Sequence, residues 1–401
     1  MSSAGAWAPL RHREYAILWS AGLIANIGNW MYDLAARWLM TEFDPSASMV
    51  AMVQAASALP VFLLAVPAGT LADRCDRRWL LIIIQSTMLL LALLMGLLVL
   101  GHIASPVSLL LITLAMGSCV AVMSPTWQAI VPALVTREDL PQAIALHAMG
   151  MNISRAIGPA LGGVIIAGIG IAWPFLFNAL TFVAVIAALW YWRGYRRVAP
   201  AREETYLSAM RAGFAQARDN AALQRTLWRS VLFYMTGSSY WALLPLIARE
   251  QLHGGPGMFG VLVGCIGVGA VAAALYLPAV RARWGLDRMQ RIGQVATAAA
   301  LAGFALFHVP VLGMLSALLA GAAWLASLST LNVAAQLAMS DALRARGMAL
   351  YTAVFYGCLA AGSLIWGQVA TRMRLDWTLL VAAVGSLLAL TLARKLPLHS
   401  K

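Results

Sequence analysis

Apolar and polar positions alternate in long blocks along the chain, and the blocks have membrane dimensions. Apolar runs of about 20 to 28 residues recur from end to end, the length a helix needs to cross a hydrocarbon core. Barrel strands of roughly 10 alternating residues do not fit. The pattern predicts twelve helices near 15–40, 48–71, 79–100, 106–131, 140–168, 173–192, 226–248, 257–280, 288–308, 310–339, 344–371 and 375–393. Between the sixth and seventh lies a polar, arginine-rich segment. The expected architecture is therefore an all-α membrane protein with an N-terminal six-helix bundle over 1–192, a cytoplasmic linker over 193–225 and a C-terminal six-helix bundle over 226–401.

Polar residues inside these runs carry the information. In the first helix Asn26, Asn29, Trp30, Asp33 and Arg37 fall at i, i+3, i+4, i+7 and i+11, one helical face. Unpaired polar groups are costly against lipid, so that face is expected to look inward. Asp33 has two readings: an ion pair with Arg37 one turn on, or a protonatable, substrate-contacting carboxylate at a central cavity. In the fifth helix Arg155 and Asn152 precede a kink, and Arg155 is expected to need a partner, with Asp33 the acidic candidate. His147, two turns earlier, reads as structural. Gln54 in the second helix, Tyr240 and Trp241 in the seventh, Asn332 and Gln336 in the tenth and Tyr356 in the eleventh complete the expected cavity set with Asn26, Asn29, Trp30 and Asn152. The third helix is almost wholly aliphatic and suits a lipid-facing position.

Composition narrows the class. The chain of 401 residues is 62% hydrophobic and 11% charged, with a mean hydropathy of +0.79, too apolar for a soluble domain. The net charge of +13 invites a nucleic-acid reading, but its distribution argues against one. With the N-terminus inside, most of the 28 Lys and Arg fall in cytoplasmic segments; Arg249, Arg372 and Arg374 fall outside, and Arg37 and Arg155 within helices. That bias places both termini in the cytoplasm and makes the basic excess topogenic. The start of the chain is polar and its first apolar run too long for a signal peptide core. Cys75, Cys119, Cys265 and Cys358 show neither disulfide nor zinc spacing. No phosphate-binding loop and no metal-ligand cluster are present, and His102, His253 and His308 sit at loops or helix ends, so no enzyme signature competes.

Two loops and kinks have specific spacing. Gly69-Thr-Leu-Ala-Asp-Arg-Cys-Asp-Arg-Arg78 packs five charges into six residues between two membrane-length runs. Topogenic charge explains its arginines but not the spacing Gly69-x-Leu-Ala-Asp73-Arg74-x-x-Arg77-Arg78, which resembles the loop between helices 2 and 3 of the major facilitator superfamily. Asp76 stands where that family usually has glycine. Arg155-Ala-Ile-Gly-Pro-Ala-Leu-Gly-Gly163 supplies Gly158, Gly162 and Gly163 for close helix approach and Pro159 for a kink. It resembles the helix 5 motif of drug/proton antiporters, with Ala145 and Ser154 replacing two upstream glycines. After the eighth helix, Pro278-Ala-Val-Arg-Ala-Arg-Trp-Gly285 is a degenerate repeat of the first loop.

Further stretches extend the likeness: Asn26-Ile-Gly-x-Trp-Met31, Arg137-Glu-Asp-Leu-Pro-x-Ala-Ile-Ala145, Phe177-Asn-Ala-Leu-Thr-Phe182 and Leu343-Arg-Ala-Arg-Gly-Met-Ala-Leu-Tyr351. Together they look like the enterobactin-exporter branch of the superfamily, similar to siderophore and macrolide efflux pumps. The resemblance implies a monomeric secondary transporter of the bacterial inner membrane that exports a small amphipathic molecule by proton antiport and alternating access. It implies no cofactor beyond the proton gradient and no partner beyond substrate and lipid bilayer. It also implies conformational roles for the two motifs; for the coupling itself the residues offer Asp33, balanced by Arg37, Arg155 or both. The fourth helix lacks the intramembrane arginine of many proton-coupled relatives. A lysophospholipid or lipid transporter of the same fold is the alternative, and a non-transporting receptor the remaining rival.

Overall fold

The computed structural model describes residues 7–192, 218, 220–339 and 344–398, and among these the regular structure is helical throughout. A short 3-10 turn, Ala8–Arg11, leads into α1 (Arg13–Phe43), α2 (Ala47–Arg74), α3 (Arg77–Leu100), α4 (Pro106–Leu134), α5 (Leu140–Ile169) and α6 (Trp173–Tyr191). Then α7 (Ala221–Leu246) runs into a π turn, Ile247–Gln251. The next run, Pro256–Leu306, is broken at Gly285, whose φ of 73° lies in the left-handed region, giving α8 (256–284) and α9 (286–306). The chain closes with α10 (Pro310–Leu337), α11 (Arg344–Arg372) and α12 (Leu375–Ala393).

Twelve helices are expected, and among the described residues twelve rods are found, with shifted ends. On length and hydropathy alone, ten described helices could cross a membrane. The 51-residue Pro256–Leu306 run counts there as one, and α1 falls short because its polar face lowers its hydropathy. Residues 221–225, expected in the linker, instead form the first turns of α7. Asn220 caps that helix: its side chain accepts from the Leu223 N–H at 3.0 Å and donates to the Ala338 carbonyl at 2.6 Å. Linker residues 193–217 and 219 lie outside the described residues.

In a bilayer the hydrophobic effect does not drive helix against helix, so close backbone approach and hydrogen bonds have to. α1 shows both. It runs parallel to α5, where the Tyr15 hydroxyl donates to Ala143 O at 2.9 Å, Trp19 Nε1 to Leu146 O at 3.1 Å and Ser154 Oγ to Leu23 O at 3.3 Å. Further along, a Cβ on Gly158 would come within 2.5 Å of the Trp30 Cβ and 2.8 Å of Ile27 O, and one on Gly162 within 3.2 Å of Met31 Cα. Against α6, a Cβ on Gly28 would meet Asn178 Oδ1 at 2.6 Å. The glycines expected at the α5 kink thus hold α1 at backbone distance. Gly158→Leu should overpack this contact and cost on the order of 1–3 kcal/mol. The check is the apparent Tm of the detergent-solubilised protein, and an unchanged value would mean that α1 and α5 do not pack so closely.

α3, expected to face lipid, leaves Ile83, Leu90, Leu94 and Leu97 exposed along one of its faces. Its arginines turn the other way. Arg77 Nη1 donates to Ala129 O at 3.2 Å, and Arg78 Nε and Nη2 donate to Leu189 O and Trp190 O at 2.7 and 3.0 Å. They thereby meet the carbonyl ends of α4 and α6, where the helix dipole favours a cation. Asp76, the departure from the family pattern, caps α3 by accepting from the Trp79 N–H at 3.1 Å. The side chain of Asp73, expected to tie helix ends together, and that of Arg74 lie outside the described residues, as do the surroundings of Gly69.

The starts of α1, α5 and α7 and the end of α12 share one face of the molecule, here the terminal face. Arg229 near the start of α7 bonds to Asp287 at the start of α9 and, at 3.3 Å, to Leu396 O beyond α12. The opposite side is the far face.

Candidate functional site: a cavity and a segregated ion pair

Among the described residues, two hydrogen bonds join α1–α6 to α7–α12, and both lie toward the far face. Arg37 Nη1 donates to Trp241 O at 3.2 Å, and Arg249 donates to Thr41 O. Around them Trp38 of α1 stacks on Phe259 of α8, with centroids 6.2 Å apart. α5 and α8 cross at glycines: a Cβ on Gly163 would meet Pro256 O at 2.9 Å and Gly260 Cα at 3.2 Å. α2 and α11 cross where a Cβ on Gly367 would meet the Ala51 Cβ at 2.6 Å. Backbone contacts of this kind close the far side tightly.

On the terminal side of this closure lies a cavity of about 510 Å³, within the usual range for small-molecule sites. Its walls come mostly from α1 and α4, joined by His147 and Met151 of α5 and by Ala349, Thr352 and Tyr356 of α11. None of its lining residues is Asp, Glu, Lys or Arg. Its polar side chains are the uncharged hydrogen-bonding groups of residues such as Asn26, Asn29, Gln85, Ser124 and Gln128 together with the titratable imidazole of His147, interleaved with Trp127, Val61, Met123 and Met151. Such a wall recognises hydrogen-bonding groups and apolar surface rather than net charge.

The charged residues sit apart. Asp33 Oδ2 lies 2.8 Å from Arg37 Nη2, with the arginine side chain 10% and the carboxylate 31% exposed. They border a void of only about 10 Å³ together with Trp30, Pro159, Trp241 and Phe259. Of the two arginines weighed as partners for Asp33, the structure joins Arg37 alone. Arg155 has no carboxylate within 4 Å among the described residues. Its guanidinium carbon instead lies 5.6 Å from the Trp30 ring centroid, a cation–π contact, with Tyr240 and Tyr356 within electrostatic reach. Trp30 therefore adjoins both the ion pair and the isolated arginine.

The expected cavity residues divide. Asn26, Asn29 and Tyr356 line the cavity. Trp30 and Trp241 border the small void instead. Tyr240 is fully buried and packs with Trp241, Phe304 and Trp324 in an aromatic cluster. Gln54 is buried in α2, Asn152 is half-buried outside the cavity wall, and Gln336 donates to Asn332 at 2.6 Å. His147, read as structural, lines the cavity and has no hydrogen-bond partner among the described residues. Its signal in the sequence was register: with Met151 and Arg155 it falls at i, i+4 and i+8 on one face of α5.

A profile of the transmembrane secretion effector family matches residues 4–401, nearly the whole chain. The protein belongs to this family of the major facilitator superfamily. It is 28% identical to the staphyloferrin A transporter of Staphylococcus aureus over 295 residues, 73% of this chain and 74% of that one. It is 27% identical to the enterobactin exporter EntS of Citrobacter koseri over 248 residues, 61% of this chain and 58% of that protein. The match thus spans less than two thirds of the enterobactin exporter. In fold it superposes on the nucleoside transporter NupG with a TM-score of 0.80 at 15% identity, covering 96% of this chain and 99% of that one. This family member is a membrane transporter rather than an enzyme, and its fold is that of the major facilitators.

Proposed function

We propose that this transporter exports a small, uncharged or weakly charged amphipathic molecule, of the siderophore or drug class, from the cytoplasm by proton antiport. In this reading it is a monomer of the bacterial inner membrane with both termini, and hence the terminal face, in the cytoplasm. The observation that carries the proposal is the segregation of charge. The cavity that would receive substrate is lined by no Asp, Glu, Lys or Arg, with His147 its titratable side chain, while Asp33 and Arg37 sit at the far-side closure, where a change in their protonation would act on the closure directly.

Inside-out vesicles acidified within should accumulate such a substrate, metal-free enterobactin being the first to try, and a protonophore should stop the accumulation. Accumulation that ignores the protonophore would remove proton coupling, and accumulation by right-side-out vesicles would reverse the direction. Transport of lysophospholipid in preference to these compounds would favour the lipid-transporter reading. Asn26→Ala and Asn29→Ala, each removing a neutral hydrogen-bonding group from the wall, should raise KM roughly 2- to 12-fold with kcat nearly unchanged. A fall in kcat at constant KM would place these asparagines outside the binding site.

A further inference from the structure

On the outer surface of α9, between α10 and α12, a groove of about 710 Å³ opens toward the surroundings. Its end at the terminal face is rimmed by Arg288 and Arg291 of α9 and Arg394 at the end of α12. Below the rim the lining is apolar, with Ile292, Val295 and Ala299 along one face of α9 and Leu319 and Leu390 on its flanks. We propose that this groove binds an anionic phospholipid of the adjacent leaflet, its phosphate on the three arginines and an acyl chain in the apolar channel.

Charge and depth both support one occupant. The carboxylate at the rim, Asp287, is already shared between Arg229 and Arg291, the latter at 3.0 Å. Arg288 lies over the Trp284 ring at 4.9 Å, and Arg394 has no side-chain partner among the described residues. The rim is therefore left with positive charge in excess. Arg288 and Arg394 are exposed, as are Ile292 at 39%, Val295 at 46% and Leu319 at 39%, on the surface a bilayer would cover. From Arg288 to Ala299 the axis rises about 16 Å at roughly 1.5 Å per residue. That is near half of the ~30 Å hydrocarbon core, the depth of one leaflet. Alanines at 296 and 299 leave the channel its width. Basic pockets between membrane helices at an interface are suited to acidic headgroups, and a channel continuing into the hydrocarbon separates a lipid from a free phosphate.

The full chain, delipidated in detergent, should retain phosphatidylglycerol in native mass spectra at concentrations where phosphatidylcholine with the same chains is lost. Arg288→Gln/Arg394→Gln should weaken that retention on the order of 5-fold per arginine, roughly 30-fold for the pair. Arg11→Gln/Arg137→Gln, which removes the same charge from the same face away from the groove, should not. Ala299→Trp, which fills the channel without altering charge, should also lower retention. Equal retention of the two lipids, equal loss in the control pair, or undiminished binding in Ala299→Trp would each overturn the site.

Discussion

Gly163→Val should stop transport and leave the far side open. A Cβ at this position already falls 2.9 Å from Pro256 O, 3.2 Å from Gly260 Cα and 3.3 Å from Gly257 Cα. All three are backbone atoms, so no side chain can rotate out of the way. Gly163 belongs to α5 and its neighbours to α8, so the clash falls on the closure between the two sets of helices and not within either. Overpacking of this kind costs about 1–3 kcal/mol, which shifts a two-state equilibrium roughly 5- to 150-fold away from the closed far side. Phe259→Cys, introduced where the native side chain is 1% exposed, reports the change. It requires a background without Cys75, Cys119, Cys265 and Cys358. In that background an impermeant maleimide should reach it from the far side in Gly163→Val and not in the parent. Gly257→Val is the matched control, because a Cβ there meets nothing within 4 Å. Labelling that is the same in all three proteins would mean that α5 and α8 do not separate during transport.

Asp33→Asn should abolish gradient-driven export. Asp33 holds Arg37 in the position from which its other terminal nitrogen reaches Trp241 O across to α7. Removing one member of a buried pair leaves the other charge uncompensated. The usual cost is about 3–5 kcal/mol, reduced here because the carboxylate is 31% exposed. Stability alone could therefore account for a loss of transport, and the double variant separates the explanations. Asp33→Asn/Arg37→Gln leaves no unpaired charge and should recover expression and thermal stability, yet still fail to respond to an imposed pH gradient. Recovery of gradient-driven export in the double variant would reduce the pair to a structural role.

The cavity and the closure differ in how far the linear chain foretold them. Helix number, the inward polar face of α1 and the close-packing glycines of α5 follow from local rules: a bilayer requires long apolar helices, and a 3.6-residue period assigns residues to faces. Asn26, Asn29 and the Asp33–Arg37 pair were legible for that reason, since each depends only on position along one helix. Register says which residues share a face but not which helix that face will meet. So Tyr240 went into an aromatic cluster, Arg155 onto Trp30 rather than Asp33, and His147 into the cavity wall. Likewise the arginines of α9 and α12 looked topogenic in sequence, and only the packing of α9 between α10 and α12 made them the rim of a groove. Local periodicity is set by backbone geometry within a single helix, whereas charge partners and cavities are set by contacts between helices distant in sequence. Those contacts exist only once the whole bundle has assembled.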